Sequence, residues 1–74
     1  GYTALMDAAG YNENPEVIAI LLQAGANINA RNNGGVTALM FAAGYNENPE
    51  VTTTLLQAGA DVNARVILSL LALP

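Results

Sequence analysis

Four glutamates are the side chains in this sequence whose type and spacing first raise the question of catalysis. Glu13 and Glu16 recur as Glu47 and Glu50, at the same places in two nearly identical stretches. If those stretches fold as helical units packed about 8–10 Å apart, Glu13 and Glu47 approach the separation of an inverting glycosidase pair, about 6.5–9.5 Å. A plainer reading accounts for the same residues. Glu16 and Glu50 follow Asn-Pro as second helical residues, where a carboxylate offsets the positive end of the helix dipole. Glu13 and Glu47 fall in solvated turns, with no pocket to set one carboxyl apart from the other. A calcium site in this acidic stripe would have too few oxygen ligands at fixed spacing. Other chemistries lack their parts. There is no His and no Cys, and the single Ser, Ser69, has no base beside it. A nucleophile–base pair of the usual kind cannot be assembled, and zinc and copper sites lack their ligands. EF-hand spacing, a phosphate-cradling Gly-rich loop and an N-glycosylation triplet are all missing. No enzyme and no cofactor is expected.

The elements that would position these residues come in duplicate. Shifted by 34 residues, Tyr2–Arg31 falls on Val36–Arg65, with 23 of 30 positions identical. The seven differences are Tyr2/Val36, Asp7/Phe41, Ile18/Thr52, Ala19/Thr53, Ile20/Thr54, Asn27/Asp61 and Ile28/Val62. A repeat of this length is a supersecondary unit that buries its apolar face by stacking on copies of itself. Such folds offer extended surfaces more often than catalytic pockets.

Each copy punctuates itself. Thr3 caps a short helix, with Gly10 predicted to end it. After Tyr11-Asn12-Glu13, the run Asn14-Pro15-Glu16 opens a second helix: Asn caps, Pro suits the first helical position, and Glu complements the dipole. Val17, Leu21 and Leu22 are its predicted buried face, and Gly25 supplies the left-handed residue after its end. Thr37, Gly44, Asn48-Pro49-Glu50, Val51, Leu55, Leu56 and Gly59 repeat every signal. Between the helix pairs, Asn32-Asn33-Gly34-Gly35 marks a turn in which Asn and Gly tolerate positive φ. The predicted helices span 3–10, 14–24, 37–44 and 48–58, with Leu5, Leu21, Leu22, Leu39, Leu55 and Leu56 in the core.

These strings resemble the ankyrin repeat: Thr-Ala-Leu-Met-x-Ala-Ala, Asn-Pro-Glu-Val, and Leu-Leu-Gln-Ala-Gly-Ala-(Asn/Asp)-(Ile/Val)-Asn-Ala-Arg. The resemblance covers residues 1–65 and implies an all-α fold, an ankyrin-repeat helical solenoid of two stacked helix-turn-helix units joined by an extended β-turn loop. The expected division is a first repeat with its connecting turn at 1–34, a second repeat at 35–65 and an apolar tail at 66–74. Two departures stand out. The family's Thr-Pro-Leu-His reads Thr-Ala-Leu-Met at residues 3–6 and 37–40. Met6 and Met40 cannot make the hydrogen bonds of a His, so the units are expected to be held more by packing and less by polar cross-links. The period is 34 rather than about 33, and the extra residue falls in Gly-Tyr-Asn-Glu-Asn, predicting a longer loop between the paired helices.

Composition bounds the rest. The 74 residues are 53% hydrophobic and 11% charged, too apolar for disorder. Net charge is −4, and Arg31 and Arg65 are the only basic side chains, so neither a nucleic-acid nor an anionic-membrane partner is expected. Residue 1 falls inside the repeat pattern and no initiator Met is present, so the sequence reads as a fragment. It is expected to self-associate through open repeat ends. After Arg65 the pattern gives way to Val66-Ile67-Leu68-Ser69-Leu70-Leu71-Ala72-Leu73-Pro74. This tail is too short for a bilayer, which needs about 20 residues. It reads as a makeshift cap over the end of the stack, with a membrane-proximal or partner-binding stretch as the alternative. Thr52 and Thr54, replacing Ile18 and Ile20, suit a terminal repeat with a polar outer side.

By the resemblance, extended turns and first helices line a concave face. Its contact candidates are Asn33, Gly34 and Val36 at the turn, Asp7 and Phe41 on the first helices, and Tyr11 and Tyr45 nearby, with Tyr2 adding aromatic surface. Phe41 stands where the other copy has Asp7 and is read as an exposed anchor. Tyr11 and Tyr45 are also read structurally, packing the long loop over Ala8-Ala9 and Ala42-Ala43. Two functions follow: a module binding a protein of unknown identity through this face, or a structural spacer within a longer solenoid.

Overall fold

The computed structural model describes residues 2–66. Its helices are α1 (Ala4–Tyr11), α2 (Pro15–Gln23), α3 (Ala38–Tyr45) and α4 (Pro49–Gln57), and no strand occurs among the described residues. The four spans match the predicted ones to within about a residue at each end, inside the usual scatter of helix boundaries. The tail from residue 67 onward, and with it the cap reading, lies outside the described residues.

The caps act as their residue types require. Thr3 Oγ1 accepts from Met6 N at 3.1 Å and Thr37 Oγ1 from Met40 N at 3.4 Å. Asn14 and Asn48 accept through Oδ1 from the amides of Glu16 and Glu50, at 2.9 and 3.0 Å. Each capping bond satisfies a backbone donor that the first helical turn leaves without a partner. At the far ends of α2 and α4, Gly25 and Gly59 adopt φ 99°. Paired amide bonds close each end: Gly25 N to Leu22 O and Ala26 N to Leu21 O, then Gly59 N to Leu56 O and Ala60 N to Leu55 O. This closure needs the left-handed residue that glycine supplies without a steric penalty.

Gly10 and Gly44 do not end their helices. Both lie inside, and α1 and α3 run on to Tyr11 and Tyr45 before stopping at Asn12 and Asn46. The role of Gly10 is close approach instead. A Cβ there would lie 3.4 Å from Phe41 Cβ, whereas one at Gly44 would meet nothing within 4 Å.

Within each unit the paired helices pack together, and across units α1 packs on α3 and α2 on α4. The core is the seam between units. Leu5, Met6, Ala9 and Ile18 bury themselves against Ala38, Phe41, Ala42, Val51 and Leu55. Burial differs sharply between equivalent residues. Val51 is fully buried and Val17 is half-buried, although both hold the same position of the same helix. The difference lies in the neighbours: Val51 faces the first unit, and Val17 faces away from the second. The buried face predicted for α2 is corrected accordingly. Ile18 takes the seam at 0% exposure, while Val17, Leu21 and Leu22 are half-buried. Leu55 is buried as expected, but Leu39 is half-buried and Leu56 is 42% exposed, because both look toward the outer side of the second unit.

The expectation of few polar cross-links is also corrected. The longer loops carry them. Asn46 Nδ2 donates to Ala9 O and Asn12 O, both at 2.8 Å, and Asn48 Nδ2 donates to Glu13 O at 2.7 Å. On the turn side, Asp61 N donates to Asn29 Oδ1 at 2.9 Å, and an Arg31 guanidinium nitrogen donates to Arg65 O at 3.1 Å. What the missing His does not supply, asparagines of the inserted loop do.

Leu5→Ala is expected to cost about 2–5 kcal/mol, the range for a buried leucine, and Leu39→Ala clearly less. Urea unfolding of the two variants checks this, and equal losses would place the seam elsewhere. Asn46→Ala should cost about 1–3 kcal/mol by stripping partners from Ala9 O, Asn12 O and Asn48 N. Asn12→Ala, at the equivalent position, removes a side chain whose one bond among the described residues is local, to Asn14 N, and should cost markedly less in the same assay.

Candidate functional site

The turn at residues 32–36 is organised by one side chain. Asn32 Oδ1 accepts from Gly34 N at 2.9 Å and from Val36 N at 3.0 Å, while the backbone closes through Asn32 N to Val36 O and Gly35 N to Asn32 O. Arg31 donates to Gly35 O as well as to Arg65 O, lacing this turn to the next. Asn33 and Gly34 are left exposed at the tip, beside a groove shared with Asp61, Asn63 and Arg65. Positive φ in this turn belongs to Gly35, at 82°, and not to an asparagine.

Along the first helices, and with Tyr2 just ahead of α1, all four aromatic residues of the sequence form one continuous row. The rings of Tyr2 and Phe41 lie 5.2 Å apart, Phe41 and Tyr45 6.0 Å, and Tyr45 and Tyr11 6.1 Å, the last pair stacked at 29°. These separations fall in the favourable range for aromatic pairs. Phe41 is 5% exposed, whereas Tyr2, Tyr11 and Tyr45 are 69%, 65% and 64% exposed. A buried ring thus fixes a surface of three exposed phenols running across both units. Glu13 and Glu47 flank the Tyr11–Tyr45 pair, together with Gly10 and Asn46.

The glutamates form no isolated catalytic dyad. All four are exposed, and the amides of Glu16 and Glu50 are committed to their asparagine caps. Among the described residues, no three of His, Cys, Asp and Glu gather closely enough to hold a metal ion, and no buried side-chain polar atom lacks a partner.

Comparison with family models bears on the whole described chain. A model described as Ankyrin repeats (3 copies) matches residues 1–66. The chain belongs to the ankyrin-repeat family. No curated protein matches it. Ankyrin repeats are generally protein–protein interaction modules, and the family is typically a non-enzymatic scaffold.

Against this ankyrin frame, the contact candidates separate into three groups. Asn33 and Gly34 sit exposed on the turn tip, and Tyr11 and Tyr45 sit exposed in the aromatic row. Val36 is half-buried, its amide bonded to Asn32 and its side chain packed on the core. Asp7 is exposed but lies on the outer side of α1, in a groove with Ala4, Ala8, Val17 and Leu21. Phe41 is the correction: it lies in the seam, packed against the Gly10 notch and Tyr2, and is not an exposed anchor. That Asp7 is tolerated at the equivalent place reflects its outward position, not a solvent-facing site shared by both units. Sequence reasoning missed Asn46 and Asn48 as inter-unit clamps. Their signal was present, since asparagines at both positions recur in the one loop that departs from the usual period.

Phe41→Asp, unlike a surface substitution, should cost at least the about 3–5 kcal/mol of a Phe truncation, because a carboxylate would replace a ring inside the seam. Loss of cooperative unfolding in urea is the expected readout. A variant as stable as the parent would show that Phe41 is dispensable to the stack.

Proposed function

We propose that the chain binds a protein partner through the face formed by α1, α3 and the Asn33–Gly34 turn tip. The observation that carries this reading is the aromatic row. Tyrosines bury large area on contact at low conformational cost, and here a buried Phe41 and mutual stacking hold the rings in place before any partner arrives. Binding to rings already held in place loses less freedom than binding to mobile ones. The carboxylates of Glu13 and Glu47 beside Tyr11 and Tyr45 favour a partner presenting cationic side chains, which gain from both the ring faces and the negative charge. The sparse catalytic inventory and the family's general role support the same reading.

Photo-crosslinking in the source cell tests it. A photoreactive phenylalanine analogue placed at Tyr11 or Tyr45 should capture one discrete protein, and the same analogue at Ile20, exposed on α2, should not. Tyr11→Ala and Tyr45→Ala should each weaken binding of the captured partner by more than about 1 kcal/mol, the level that marks an anchor. Capture from Ile20 alone would move the interface to the second helices. No capture from any position would favour the spacer.

A further inference from the structure

We infer that a second copy of this chain stacks end to end on the first, weakly, with Asp7 limiting the association. The occupant is read from the interface already formed inside the molecule. Nine residues make the seam, and each has an equivalent 34 positions away on an outer side of the stack. Ala38, Phe41, Ala42, Val51 and Leu55 correspond to Ala4, Asp7, Ala8, Val17 and Leu21, which line a groove on the outer side of the first unit. Leu5, Met6, Ala9 and Ile18 correspond to Leu39, Met40, Ala43 and Thr52, which line an apolar groove on the outer side of the second. Every one of these equivalents is half-buried or exposed where its counterpart is buried. Seven of the nine are the same residue type. The chain therefore carries both halves of an interface that it makes with itself.

The polar seam is reproduced as well. Asn46 and Asn48 donate to Ala9 O, Asn12 O and Glu13 O within the molecule. Among the described residues, the side-chain amides of Asn12 and Asn14 make no such bonds. In an end-to-end stack they meet Ala43 O, Asn46 O and Glu47 O of the neighbouring copy. Asn27 N meets Asn63 Oδ1 as Asp61 N meets Asn29 Oδ1. Tyr11 of one copy falls beside Tyr45 of the next, so the stacked pair recurs.

Two substitutions oppose the contact. Thr52 replaces the fully buried Ile18, and Asp7 replaces Phe41. Phe41 packs against Gly10 and Tyr2, so Asp7 would face Gly44 and Val36 of the neighbour. Neither offers a cation, and Arg31 and Arg65 are in the turns. Taking an unpaired carboxylate out of water is costly. Because the two faces differ, the stacking is head-to-tail and does not close on itself; without a brake it would grow into filaments.

Sedimentation velocity of the full chain over a concentration series tests the inference, with circular dichroism confirming that each variant keeps its helices. The native chain should show an average mass that rises continuously with concentration. Asp7→Phe should shift that rise to concentrations at least about tenfold lower. Ala43→Arg, which loads the exposed equivalent of buried Ala9, should return both chains to monomer. A native chain that stays monomeric up to about 1 mM overturns the inference whatever the variants do. So does a dimer of fixed size, or association by Asp7→Phe that survives Ala43→Arg. If the native chain is monomeric and Leu70→Asp with Leu71→Asp makes it associate, the chain's own tail is the occupant of the outer groove.

Discussion

Phe41 seated over Gly10 is the contact on which the remaining structure depends. Gly10 inside a helix forfeits about 1 kcal/mol relative to Ala, and the missing side chain lets the ring approach α1 closely. From there the two helix layers fall into register, α1 on α3 and α2 on α4. Register in turn brings Asn46 and Asn48 within reach of Ala9, Asn12 and Glu13. The same ring anchors Tyr2 and Tyr45, so core and recognition surface share one residue. Stability and presentation of the tyrosines are not separable here. A change that loosens the seam also loosens the face.

Local structure was legible in the sequence because its causes are local. Caps, Asn-Pro-Glu starts and the glycine after each second helix act over a few residues, and these determined all four helices. The tandem copies and the Leu-Leu-Gln-Ala-Gly-Ala strings carried the architecture. What sequence could not yield was sidedness. In a stack, one helix has a flank toward each neighbour, and two identical residues can have different fates. Val17 and Val51 are the clearest case, and Leu5 and Leu39 another. Phe41 was misplaced for the same reason: comparison with Asp7 treated the copies as equivalent, when one faces a partner unit and the other does not. The tyrosines were visible as candidates from their type, but their arrangement in a row depends on inter-unit spacing that no single repeat encodes.

The asparagine clamps carry a consequence for how such an array can change. Asn46 reaches across to the carbonyls of the preceding loop because that loop has the same length and path. A loop shortened in one unit alone would pull Asn12 O and Glu13 O away from the amides waiting for them, stranding donors and acceptors on both sides. Loop length here is therefore a property of neighbours and not of a unit. It is inherited in pairs or longer runs, most simply when a whole unit is duplicated with its insertion already in place, and it makes a unit of one period a poor graft beside a unit of another.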